Sequence, residues 1–193
     1  MPSVKIGHRR IFAWTVIVSA GAMSFGCSPA DERREAGRLY IEAMSRARNG
    51  EYDRALRLLD RSIELDPSRP TAFYQAAIVS NQQGHVEAAL TYVEGGLRAA
   101  PRHMELLDFK GDLLEKSGRI PEAVEAYEAC IAQGPRGYWS PWIKLARLQE
   151  GQGRIEEAKR TYESVLRLYP GFAEARAKLE ALQTRAGNTR EAR

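Results

Sequence analysis

The side chains best suited to chemistry are few, and their spacing does not bring them together. His85 and His103 lie far apart in the sequence, and neither has a paired cysteine or carboxylate at the spacing of a metal site. A nucleophilic cysteine needs an adjacent base and an accessible thiolate, whereas Cys130 lies in an apolar helical stretch that favours a small buried residue. No glycine-rich phosphate loop is present. The sequence therefore predicts no catalytic residues, no metal and no cofactor.

A row of carboxylates is the next feature with chemical potential. Its four members have spacings of three, four and three: Glu105, Asp108, Asp112 and Glu115. That spacing places them on one face of a helix. Two interpretations remain open, a solvated face or a contact for a basic segment of a partner protein. In the second, reversing Asp108 and Asp112 to lysine slows association and weakens its salt dependence.

Cys27 stands where an exported chain would be cut. Three basic residues precede an uncharged, mostly apolar stretch at 11–25, which is the pattern of a signal peptide. As a helix this stretch spans only about 22 Å, short of the roughly 30 Å of a hydrocarbon core. The letters SFGC, residues 24–27, resemble a bacterial lipobox, which implies cleavage before Cys27 and a lipid on that cysteine. The open alternative is cleavage after Ala30, which leaves a soluble secreted protein.

The positive charge of the chain belongs mainly to this leader. The net charge is +4, but residues 1–26 hold three basic and no acidic residues, so 26 basic residues face 25 acidic ones beyond it. Opposite charges are interspersed there, as on a solvated surface. A nucleic-acid binder would show a clustered basic face. With Cys27 lipidated, Cys130 has no disulfide partner, so stability must come from packing.

Proline and glycine recur at a nearly constant interval. Four prolines are separated by 34, 34 and 35 residues: Pro67, Pro101, Pro135 and Pro170. Four glycines keep the same rhythm: Gly50, Gly84, Gly118 and Gly153. Apolar residues spaced near 3.6 fill the intervals, so each unit is a helix, a glycine turn, a second helix and a proline stop. This pattern resembles the tetratricopeptide repeat, whose period is 34.

The resemblance implies an all-α fold, an α-solenoid of four helix pairs plus a C-terminal capping helix. We expect a signal peptide at 1–26, a short linker at 27–35, repeats at 36–69, 70–103, 104–138 and 139–172, a capping helix at 173–187 and a disordered tail at 188–193. Paired helices leave little room where they cross. Small residues recur at the matching positions, namely Ala43, Ala77, Gly111 and Ala146 in the first helices and Ala55, Ala89, Ala123 and Ala158 in the second.

The resemblance also implies a binding groove, because the first helix of each pair lines the concave face of such solenoids. The matching positions are Tyr40, Met44, Tyr74, Ile78, Asn81, Asp108, Asp112, Glu115, Ile143, Arg147 and Glu150. The first half of this set is apolar and aromatic, which suits a helix or an extended peptide. The family's carboxylate clamp uses lysine and asparagine where this chain has Asp108 and Asp112, so a chaperone-tail adaptor is not expected.

Together these features predict a non-catalytic scaffold that binds a protein partner and no nucleic acid. The expected location is the bacterial envelope, with the lipid on Cys27 in the outer membrane and the solenoid facing the periplasm. Ser28 supports the outer membrane, because aspartate after the cysteine resembles an inner-membrane retention signal. The alternative is a soluble periplasmic adaptor or regulatory subunit of a secretion or redox maturation complex. The sequence specifies neither the partner nor the oligomeric state.

Overall fold

Helices make up most of the chain that the computed structural model describes, which comprises residues 28–134 and 138–191, with side chains up to residue 184. No strand occurs within these ranges, and the all-α prediction is confirmed. The nine helices described are α1 (Pro29–Arg48), α2 (Tyr52–Leu65), α3 (Pro70–Gln82), α4 (Val86–Ala99), α5 (Met104–Lys116), α6 (Ile120–Ile131), α7 (Ser140–Gly151), α8 (Ile155–Leu168) and α9 (Ala173–Glu191).

The helices stack in order along the chain. The most extensive contacts join α1 to α2, α3 to α4, α5 to α6 and α7 to α8, and each pair also contacts the next. The first helices touch one another across repeats, α1 with α3 and α3 with α5, and α9 packs against α8. The arrangement is the predicted α-solenoid of four helix pairs followed by a capping helix.

A left-handed glycine ends the first helix of every pair. Gly50 has a φ of 78°, a backbone conformation that residues with a Cβ atom rarely adopt. The next residue, Glu51, donates its amide to the carbonyl of Arg46, which satisfies a free carbonyl at the helix end. The same backbone bond recurs in the other three pairs, from His85 to Ser80, from Arg119 to Leu114 and from Arg154 to Gln149. The regular glycine therefore sets where each pair turns.

Small residues lie where paired helices cross, as predicted. The alanines at these positions are completely buried: Ala43, Ala55, Ala77, Ala89, Ala123, Ala146 and Ala158. Each second helix inserts one large residue at the same place, and all four are fully buried: Leu59, Val93, Tyr127 and Tyr162. At Gly111 a Cβ atom would lie 2.3 Å from the ring of Tyr127, so a larger residue at this crossing would force the ring to shift.

The two ends of the solenoid differ from the predicted boundaries. The linker expected at 27–35 is helical from Pro29, because Ser28 caps the helix and accepts the amide of Asp31 at 3.2 Å. Proline at the first position and acidic residues in the first turn also favour this start. At the other end α9 continues to Glu191, so residues 188–191 of the expected tail are helical.

Membrane attachment is not decided by these helices. None of the helices in the described ranges is long and apolar enough to cross a membrane. The signal peptide and Cys27 fall outside the described residues. Their assignment stays a prediction.

Candidate protein-binding groove

The apolar half of the candidate groove lies on α1 and α3. Tyr40 and Met44 of α1 and Tyr74 and Ile78 of α3 are all half-buried, so each keeps part of its side chain accessible. The ring of Tyr74 packs edge-on against Phe109 of α5, with centroids 5.7 Å apart and an interplanar angle of 81°. Such a contact fixes the ring orientation. This part of the groove is therefore an aromatic and aliphatic surface in which the Tyr74 ring is kept in place by Phe109.

The acidic half is organised differently, because a lysine of the following repeat lies within it. Lys144 of α7 donates to Asp108 at 2.9 Å and contacts the two carboxylate oxygens of Asp112 at 2.6 and 2.8 Å. Burial alone lowers the pKa of Lys144, but the bonds to Asp112 and Asp108 outweigh it and the pKa is raised. Lys144 therefore balances one of the two negative charges of Asp108 and Asp112 from within the chain. The sequence interpretation did not include Lys144.

Asp108 is the centre of this cluster. It is 7% exposed, and it accepts bonds from the Tyr138 hydroxyl at 2.9 Å and the Ser140 hydroxyl at 3.4 Å besides that from Lys144. Tyr138 comes from the loop lengthened by the extra residue between repeats 3 and 4. Asp108 thus joins three elements, and it is not a solvated carboxylate.

Three carboxylates of the inner face, Asp112, Glu115 and Glu150, accept bonds from buried tyrosines. The Tyr127 hydroxyl donates to Asp112 at 2.8 Å and to Glu115 at 3.2 Å, and the Tyr162 hydroxyl donates to Glu150. Burial and then the nearby carboxylates raise the pKa of Tyr127, so the phenol stays a donor. These bonds satisfy hydroxyls that would otherwise be buried without partners.

The last predicted groove residues are placed unequally. Arg147 is exposed, and Asn81 is half-buried and accepts a bond from Lys116 at 2.7 Å. Ile143 differs from the prediction, because it is 5% exposed and packs in the core with Tyr162 and Leu182. It leaves little side chain for a partner. The accessible part of the groove therefore consists of α1, α3 and those side chains of α5 and α7 that are not buried.

The loop between repeats 3 and 4 adds a small pocket on another face. Trp142 is half-buried and Trp139 is 42% exposed, with its ring 4.7 Å from that of Phe172. A cavity of about 140 Å³ lies beside this loop, lined by Cys130, Ile131, Gly134, Tyr138, Trp142, Leu168 and Tyr169. Its size is well below that of ordinary ligand sites.

The candidate nucleophile and ligands stay apart in the structure. Cys130 is 1% exposed, and burial, followed by Asp108 and Glu105, raises the pKa of its thiol to about 12. The thiol is therefore protonated at neutral pH. Within the described ranges no three histidine, cysteine or acidic residues form a group able to hold a metal ion.

The fold and groove define a class, the helical-repeat solenoids that present an inner face built from successive first helices. Sequence profiles described as tetratricopeptide repeat match residues 40–102, 81–138 and 114–182. These matches overlap and cover more than half of the chain. The protein belongs to the tetratricopeptide repeat family.

Individual similarities lie within this family fold. TPR repeat-containing protein MJ1428 of Methanocaldococcus jannaschii is 26% identical over 125 residues, 63% of this chain and 21% of that protein. Protein O-mannosyl-transferase TMTC1 of Mus musculus is 26% identical over 149 residues, 74% of this chain and 16% of that protein. The chain therefore spans about a fifth of the length of these curated relatives. The transferase activity in the second name is that protein's.

A solved structure agrees with the architecture. YrrB, described as a TPR protein with an unusual peptide-binding site, superposes with a TM-score of 0.64 at 23% identity. The superposition covers 82% of this chain and 81% of that chain. At this identity the match shows the fold alone.

Proposed function

We propose that this protein is a non-catalytic scaffold that holds a helix or an extended segment of a partner protein against α1 and α3. The observation that carries the proposal is the half-accessible apolar row formed by Tyr40, Met44, Tyr74 and Ile78. Aromatic and flexible apolar side chains in a groove suit the apolar face of a bound segment. The peptide-binding site named for YrrB supports the same use by analogy of fold.

The composition of the groove also indicates what the segment looks like. Since Lys144 already pairs with both Asp108 and Asp112 and balances one of their two charges, the third repeat offers a basic segment less than the sequence suggests. Contact is therefore mainly apolar and is made at the first two repeats. The partner segment presents apolar side chains at helical or extended spacing.

The second part of the proposal is a lipid anchor on Cys27 that holds the scaffold at the outer membrane of the cell envelope, facing the periplasm. The N-terminal end of α1 supports cleavage before Cys27. Ser28 caps this helix and Pro29 opens it, so cleavage after Ala30 would remove both and leave the first turn uncapped. With the cut before Cys27, only the cap residue separates the lipid from the helix. The solenoid is then held directly at the bilayer surface while it assembles an envelope complex.

The soluble alternative remains a distinct candidate. Cleavage after Ala30 would release a periplasmic adaptor or regulatory subunit whose groove works without an anchor. The mass of the mature N-terminal peptide separates the two forms, because only the anchored form carries acylated Cys27.

Crosslinked affinity purification from native membranes tests the scaffold. We expect one complex to be recovered with the wild type and lost with Ile78→Asp, which puts a charge into the apolar row. Thr91→Asp, on the exposed face of α4, is the matched control and should recover the complex. Tyr40→Ala provides a second groove variant in case Ile78→Asp perturbs folding. Recovery of the same complex with both groove variants would overturn the groove.

Cys27→Ala in the same experiment tests the anchor. Loss of the complex together with release of the protein from membranes supports a lipid-dependent scaffold. Lipidation would be excluded if the Cys27→Ala protein fractionated with the membrane as the wild type does and the N-terminal peptide of the wild type had its unmodified mass.

A further inference from the structure

The outward face of α1 carries a row of residues that contains three arginines and no acidic residue, although Asp31 and Glu42 are exposed beside it. Six residues at spacings of four, four, three, four and three form this outer stripe of α1, and all are exposed: Ala30, Arg34, Arg38, Ile41, Ser45 and Arg48. That spacing keeps them on one side of the helix. Ile41, near the middle, is 69% exposed. The stripe thus combines three arginines with one large apolar side chain.

The arginines of the stripe remain available to a partner surface. Arg34 and Arg38 pair with Asp31 and Glu35 at 3.5 and 2.9 Å, but the arginine side chains are 78% and 79% exposed. Exposed pairs of this kind contribute little and exchange readily. No carboxylate of the described chain lies within ion-pair distance of Arg48. The stripe can therefore offer its charge outward.

Another outer surface of the solenoid has the opposite character. On α6 the exposed row consists of Glu122, Glu125 and Glu128. Among the described residues, Glu122 alone of these three has an ion-pair partner, Arg119. The outer stripe of α1 is thus basic, whereas the exposed row of α6 is acidic. An anionic surface would attract the former and repel the latter.

We propose that the outer stripe of α1 lies against the anionic lipid headgroups of the membrane that holds the anchor. This inference rests on the proposed anchor, since α1 begins two residues after Cys27. A tether of that length keeps the stripe within reach of the headgroups. Arginine near an anionic surface strengthens attachment about fivefold per residue, and Ile41 inserts at the boundary with the acyl chains. Docking of the stripe would then fix the orientation of the groove relative to the bilayer.

The test uses the mature protein purified from native membranes and reconstituted in vesicles of phosphatidylcholine with 30% phosphatidylglycerol, and in phosphatidylcholine alone. A fluorescent amino acid replaces Ser45 on the stripe or Ala129 on α6, and nitroxide headgroup lipids quench it. We expect quenching at position 45 to exceed that at position 129 at least threefold in the anionic vesicles. The difference should disappear in neutral vesicles or in 0.5 M salt.

Two matched triple variants make the test specific. Arg34→Gln, Arg38→Gln and Arg48→Gln together should abolish the excess quenching at position 45. Arg57→Gln, Arg160→Gln and Arg167→Gln remove the same charge from other exposed sites and should leave it unchanged. Equal loss in both, or equal quenching in neutral and anionic vesicles, would overturn the proposal and leave the stripe to an acidic protein surface or to solvent.

The same samples separate this inference from the anchor. The mass of the N-terminal peptide reports whether Cys27 carries lipid. Lipid on Cys27 without excess quenching at position 45 would overturn the stripe alone. Excess quenching without lipid would support the stripe and overturn the anchor.

Discussion

At the scale of single residues, the third repeat depends on a match of shape between Gly111 and Tyr127. Replacing Gly111 by alanine places a Cβ atom 2.3 Å from the Tyr127 ring. We expect Gly111→Ala to lower the free energy of unfolding by about 1–3 kcal/mol through overpacking, measured by urea unfolding. Gly151→Ala is the matched control, because nothing lies within 4 Å of its added Cβ. A Gly111→Ala chain as stable as the control would refute the match.

Lys144 is the second residue with a defined energetic role. Lys144→Met leaves the buried Asp108 carboxylate without its cation, and we expect a loss of about 2–3 kcal/mol in urea unfolding. Since the pKa of Lys144 is raised on folding, its contribution is complete below the unfolded pKa of about 10.4 and is lost only at more alkaline pH. Adding Asp108→Asn should restore much of the loss.

Lys159→Met provides the control for that comparison. The Lys159 side chain is itself 14% exposed, but its partner Glu156 is 75% exposed, so removing the lysine leaves no buried carboxylate and should cost less than about 1 kcal/mol. If Lys144→Met costs no more than Lys159→Met, the cluster around Asp108 does not stabilise the repeat junction.

At the scale of elements, the cap of α1 is the feature most open to a direct test. Ser28→Ala removes the side chain that accepts the amide of Asp31. We expect a loss of about 1 kcal/mol, seen as faster hydrogen exchange in the first two turns of α1. Ser45→Ala, at an exposed position near the C-terminal end of the same helix, should not accelerate exchange in those first two turns. Equal exchange in Ser28→Ala and the wild type would show that the first turn is held by other contacts.

The sequence predicts elements well where a local signal marks them, and poorly where a long-range contact decides. Gly50 and its three counterparts determine where pairs turn, because each needs only its own helix end. The start of α1 was missed although Ser28 and Pro29 carry the ordinary signals. Lys144 lies 36 residues from Asp108, and their meeting depends on how repeats 3 and 4 rotate together. Only the folded chain shows that contact.

At the scale of the whole molecule, the solenoid is a row of neighbouring contacts, so damage at one end should stay local. Leu182 of α9 is 3% exposed and packs with Ile143, Tyr162 and Val165 of the fourth repeat. We expect Leu182→Asp to destabilise this end by roughly 3 kcal/mol. Hydrogen exchange should then rise in α7, α8 and α9 and stay unchanged in α1 to α4.

The neighbouring Gln183→Asp is the control for this prediction, because Gln183 is exposed and a surface change there should stay within about 0.5 kcal/mol. A uniform rise of exchange in every helix of Leu182→Asp would mean that the four repeats unfold as one unit. A rise confined to the fourth repeat and α9 would mean that the groove on α1 and α3 keeps its shape when the far end opens. Binding by the first two repeats would then survive loss of the capping helix.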